Sequence, residues 1–114
     1  IVFQIGVVHQ GLALLLASFN AQSACLISAS NPQGQVLTED ENLDRRMQLL
    51  LKIEQARLNY FVARHENADQ GWAQDCYLIF NLSAQDAGRW AGEFDQFAWV
   101  DIRPNGCAGL IWSD

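Results

Sequence analysis

The chain has 114 residues, of which 50% are apolar and 18% charged, and 13 acids against seven bases leave a net charge of −6. That length can bury a core without disulfide or metal staples, and the composition is that of a globular rather than a disordered chain. The charge argues against nucleic-acid and anionic-membrane partners, because such binding rests on clustered Lys and Arg, and Lys52 is the sole lysine.

Residues 1–8, IVFQIGVV, have the β-branched and aromatic content of a first strand, and GLALLLASF (11–19) is apolar on all sides. Both are expected to be largely buried. The second stretch resembles a secretion signal in outline, but no basic residue precedes it and it is too short to span a bilayer, so a core helix is expected. The sequon Asn81-Leu82-Ser83 then carries no weight. ACLISAS (24–30) is a short continuous apolar run, the pattern of a central strand covered on both faces. Thr38 and Glu41 form a capping box, after which Leu43, Met47, Leu50, Leu51 and Leu58 recur at helical spacing and predict a helix over about 39–57 with Leu43, Met47 and Leu50 inward.

NYFVARHE (59–66) and CYLIFNL (76–82) read as a hairpin separated by the polar loop NADQGWAQD. Ser83 caps a helix whose inward face is Ala87, Trp90, Ala91 and Phe94. FAWVDI and CAGLIW flank Arg103-Pro104-Asn105-Gly106, a turn in which Pro presets φ and Asn or Gly takes the positive φ that follows. The whole of 1–114 therefore reads as a single α+β domain with three helices and a sheet of five or six strands. From residue 24 to 102 the order is strand, helix, strand, strand, helix, strand, a ferredoxin-like split βαβ core with an extra N-terminal βα and a C-terminal hairpin strand. Because strands joined through a helix are usually parallel, a mixed sheet is expected, with the two later helices on one face. Leu26, Leu78, Phe80 and Val100 are further expected core residues.

Ser30-Asn31-Pro32 stands where the first core strand leaves for its helix, the side on which open α/β sheets often bind ligands. The same three residues also suit an Asx-type turn, and Glu39, Asp40 and Glu41 in the next turn would repel a phosphate. Cys25, Cys76 and Cys107 are an odd number without paired spacing, which predicts free thiols, no structural metal and no cofactor. A Cys76–His65 pair beside Asp75 would be a nucleophilic set if the hairpin register opposed the two. Trp90, Trp99 and Trp112 have core explanations, whereas Trp72 lies in a polar stretch, as a lid over the core edge or as part of a binding surface. Glu54 is expected in solvent, and Arg46 can point towards the 30–32 turn or the 67–75 loop.

Taken together, LISASNP, ENLDRR, GWAQDCYLIF and FDQFAWV resemble the bacterial family catalogued as domain of unknown function 3293. Asn31 with Pro32, Asn42, Trp72 with Asp75, and Gln96 fall in the order of that family's pattern. Ser30 stands where its members commonly carry tryptophan, and Gln74 where a glutamate is usual. The resemblance implies a bacterial protein and brings no established activity with it.

These observations make Asn31, Asn42, Trp72, Asp75 and Gln96 the candidate binding residues, lining a surface between the 31–42 and 67–75 loops. The leading expectation is a cytoplasmic, non-catalytic module that binds a small molecule or a protein. One alternative is an acidic inhibitor-like or immunity-like protein that masks a basic partner surface. Another is a small enzyme using Asp75 as acid or base.

Overall fold

The computed structural model of the protein describes residues 3–67 and 72–112, with 65–67 and 72–74 described through their backbone alone. Helix α1 (Gln10–Ser18) is followed by β1 (Ala24–Ile27), a short helical turn over Pro32–Gly34, α2 (Glu39–Gln55), β2 (Tyr60–Asn67), β3 (Trp72–Phe80), α3 (Ala84–Glu93), β4 (Ala98–Ile102) and β5 (Ala108–Trp112). The strands form one sheet in the order β2-β3-β1-β4-β5. This is the expected α+β arrangement, with β1-α2-β2-β3-α3-β4 as a split βαβ core and β5 added by the terminal hairpin.

Every neighbouring pair in the sheet is antiparallel, not mixed. The helix-linked strands β1 and β2 do run the same way, but β3 lies between them, and β1 likewise separates β3 from β4. Parallel crossovers therefore leave no parallel ladder.

Side chains of β1 alternate between two cores. Cys25 and Ile27 join Leu49 and Ile53 of α2, Ala87, Trp90 and Ala91 of α3, and Phe94. Ala24 and Leu26 turn to the other face, where Leu12 and Leu16 of α1 pack with Leu78, Phe80, Val100 and Ile102. The central strand is covered on both sides, and α2 and α3 share one face, as expected.

Three expectations are corrected. Residues 3–8 form no strand: Val8 makes an isolated bridge to Cys107, and Ile5, Val7 and Val8 are exposed. Gly6, at φ +85, turns the chain out of an extended ladder after its N–H has reached Ala108 O. Helix α1 buries one side only, with Leu14 in solvent. In α2 the inward apolar residues are Leu49 and Ile53, with Leu50 and Leu58 partly buried, while Leu43, Met47 and Leu51 are exposed.

The α2 register follows from polar groups on its inner face. Continuing from Ile53 and Leu49 towards the N-terminus at helical spacing leads to Arg45 and Asn42. The Arg45 guanidinium donates to Ala29 O at 2.6 Å and also to Phe94 O, where α3 ends and its carbonyls lack helical partners. The capping box is as read from the sequence, with Thr38 Oγ1 accepting from the Glu41 N–H at 3.2 Å and the Glu41 carboxylate accepting from the Thr38 N–H at 3.2 Å.

Candidate functional site

Strand β1 pairs with β3 only from Tyr77 to Phe80, whereas β2 follows β3 outward to Trp72. The outer half of the β2–β3 hairpin thus projects past the end of β1. Arg64 and Asp75 face each other across this arm. By the two-residue alternation of a strand, Asp75 points to the same side as Tyr77 and Ile79, the side that carries α2. The N-terminal half of α2 stands over the arm without filling the space between.

That space is a cavity of about 380 Å³ lined by Ser30, Asn31, Leu37, Glu39, Asn42, Arg46, Arg64 and Asp75. Its volume lies at the lower end of the range for small-molecule pockets. Two guanidiniums and two carboxylates balance in formal charge, and two carboxamides and a hydroxyl stand among them. Among the described residues, no ion pair or hydrogen bond engages the Arg46 guanidinium. Its backbone carbonyl accepts from the Tyr77 hydroxyl at 3.5 Å. Burial pushes the Tyr77 phenol above its ordinary pKa, opposed by the positive charge of Arg46. The Ser30 hydroxyl is buried, at 4% exposure for the residue, and finds no hydrogen-bond partner among the described residues.

Asn31 shows how turn and cavity wall are one construction. It sits in the left-handed region, at φ 47 and ψ 67, which Asn tolerates better than most residues. Its Oδ1 accepts from the Leu37 N–H at 3.1 Å and from Asn42 Nδ2 at 2.9 Å, and its own N–H donates to Asn42 Oδ1 at 2.9 Å. This reciprocal clamp fixes the loop against α2. Its Nδ2 takes no partner among the described residues.

Of the five residues chosen from sequence, Asn31, Asn42 and Asp75 line this cavity together. Gln96 does not. Its Nε2 donates to Ser30 O at 3.1 Å and Phe94 O at 3.0 Å, holding the wall from behind. Trp72 and Asp75 belong to strand β3 rather than to a loop, and the Trp72 side chain lies outside the described residues. Arg46, which the sequence allowed to point this way, does so. Arg64 was missed, because Asp75, which it opposes, was read as part of the polar loop and not of a strand.

The Cys–His arrangement is not formed by this register, because Cys76 opposes Ala63 and His65 opposes Gln74. Asp75, adjacent to Cys76 in a strand, points to the other face. None of the three cysteines is in a disulfide, they stand in separate parts of the chain, and burial raises the Cys25 thiol to about 12, beyond use as a thiolate. No group of three or more metal-ligating side chains occurs among the described residues. None of the described helices is long and apolar enough to cross a membrane.

A small α+β domain with a charge-balanced polar cavity beside its first crossover is thus the class that fold and site define. The chain belongs to the family described as protein of unknown function (DUF3293), whose profile matches residues 27–98. The match runs from the end of β1 to the start of β4 and so spans every residue lining the cavity. No curated protein and no solved structure matches the chain.

Proposed function

We propose that this protein is a non-catalytic binding module for a small polar ligand bearing both acidic and basic groups, taken up in the cavity between α2 and the β2–β3 arm. The observation that carries this reading is the polar surplus of the cavity. Folding uses the Asn31–Asn42 clamp and Arg45, but among the described residues it gives no hydrogen-bond or ion-pair partner to the Arg46 guanidinium or the buried Ser30 hydroxyl. A buried hydroxyl left without a partner costs about 1–3 kcal/mol, and such groups persist where function retains them. The paired signs of Arg46 and Arg64 against Asp75 and Glu39 favour a ligand that is itself bipolar over a simple anion. The bacterial cytoplasm is the compartment we infer, which suits three cysteines outside any disulfide.

The test is a thermal-shift screen against amino acids, nucleotides and other polar metabolites, followed by calorimetry on Arg46→Ala, Asp75→Asn and Ser30→Ala. A ligand at a hundred times its Kd adds about 2.7 kcal/mol, a rise of roughly 10 °C for a domain of this size. The cavity variants should lose that rise; Arg46→Ala and Asp75→Asn should keep their own melting temperatures within about 2 °C of wild type, while Ser30→Ala, which removes the unpartnered hydroxyl, should melt several degrees higher. Hits that bind all three variants with wild-type affinity would remove the cavity from the reading. Turnover of a hit, abolished in Asp75→Asn, would replace the binding module with the enzyme.

A further inference from the structure

On the solvent side of α2, Leu43, Met47 and Leu51 follow one another at single-turn spacing, exposed at 47%, 59% and 56%. Scattered exposed apolar residues are ordinary, but a continuous stripe along a well-capped helix is not, since a solvated helix face is normally polar. Each of the three has an acid three positions away on the same face: Asp40 beside Leu43, Asp44 beside Met47, Glu54 beside Leu51. Among the described residues no ion pair engages these acids. The basic residues of α2 are turned elsewhere, Arg45 to Ala29 O and Phe94 O, Arg46 to the cavity, and Lys52 to Glu93 at 2.7 Å and over the Trp90 ring at 5.2 Å.

We propose that this face docks a basic amphipathic segment of another protein, a helix of about three turns presenting apolar side chains framed by Lys or Arg. Charge decides among the occupants. A second copy would bring Asp40, Asp44 and Glu54 against their own counterparts in a chain already at −6. An anionic lipid surface is repelled in the same way. Met47, the most exposed of the three and central in the stripe, supplies an adaptable contact suited to such a helix. Met47 and Leu51 are not among the residues lining the cavity, whereas Leu43, four positions from Glu39 and three from Arg46, stands where the stripe borders it.

The probe is a labelled synthetic amphipathic helix of leucine and lysine, about four turns long, titrated into the full chain by fluorescence anisotropy. One control replaces its leucines with serine, and another its lysines with glutamate. The leucine–lysine helix should bind and both controls should fail. Met47→Ser and Leu51→Ser should each weaken binding about ten-fold, the scale of a central apolar anchor. Asp44→Asn should weaken it and flatten its salt dependence. Because all three positions are exposed, the variants should melt with wild type, and Leu110→Ser on the exposed part of β5 should bind as wild type does. The proposal is overturned if the serine–lysine helix binds equally well, or if the α2 variants bind normally while Leu110→Ser does not. It is also overturned if the protein sediments as a dimer that Met47→Glu dissociates, which would give the face to a second copy.

Discussion

Replacing Asn31 separates its hydrogen bonds from its backbone conformation. Asn31→Gly removes the Oδ1 that accepts from Leu37 N–H and Asn42 Nδ2 while keeping free access to φ 47. Two partly buried bonds at about 1 kcal/mol each give a loss of about 2 kcal/mol. Asn31→Ala loses the same bonds and adds about 1 kcal/mol for a Cβ in the left-handed region, about 3 kcal/mol in all. Asn31→Asp keeps an oxygen for both donors and should stay within about 0.5 kcal/mol of wild type. For 114 residues these differences correspond to melting temperatures lowered by roughly 8 °C for Gly and 12 °C for Ala, readable by differential scanning calorimetry. A double-mutant cycle with Asn42→Ala should show coupling of about 1 kcal/mol, because both Asn42 bonds end on Asn31. If Gly and Ala melted together, or if both melted with wild type, the clamp would not be what holds this loop.

Arg45→Lys should cost about 2 kcal/mol in urea unfolding, since a single ammonium cannot span Ala29 O and Phe94 O together, and an unchanged midpoint would refute the role given to the fork. Gly106→Ala should cost more than about 3 kcal/mol or prevent folding, because at φ +83 its Cβ would lie 2.1 Å from His9 O. Gly92→Ala, in a helix position with nothing within 4 Å, should stabilise by about 0.5 kcal/mol in the same assay. The Glu41 carboxyl is held below its ordinary pKa by hydrogen bonds from Thr38, so the stability it contributes is complete above the unfolded carboxylate value and is lost as pH falls through the lowered folded one. Melting temperature should accordingly fall more steeply below about pH 4 in wild type than in Glu41→Gln; parallel curves would contradict the capping box.

The elements legible in the sequence are those fixed by local chemistry: the Thr38–Glu41 box, the Ala87–Trp90–Ala91–Phe94 face, and the turn before Gly106. The orientation of α2 was not legible. Its inner face begins with Asn42 and Arg45, whose partners are carbonyls and a side chain far away in sequence, while Leu43 and Met47 supply an apolar period on the wrong side. The outer part of β3 was hidden for a related reason, although Arg64 was already placed in its partner strand. Gln74 and Asp75 lie past the end of β1 under no packed helix, so they carry none of the alternation that marks a strand. Absence of cover erased the strand signal and left room for the cavity, and so the candidate residues were found while the element bearing two of them was misread.

The β2–β3 arm is in effect a cantilever. Inboard, from Tyr77 to Phe80, β3 is anchored by β1 as well as β2; outboard, its ladder bonds run to β2 alone. Amide exchange at the outboard positions then needs only the arm to open, at a fraction of the free energy that exposes Ile79. The cavity spans the two supports, with Arg46 on rigid α2 and Arg64 and Asp75 on the arm. Any occupant touching both acts as a strut, and slowed exchange along the free end of the beam would register its arrival even where global stability changed little.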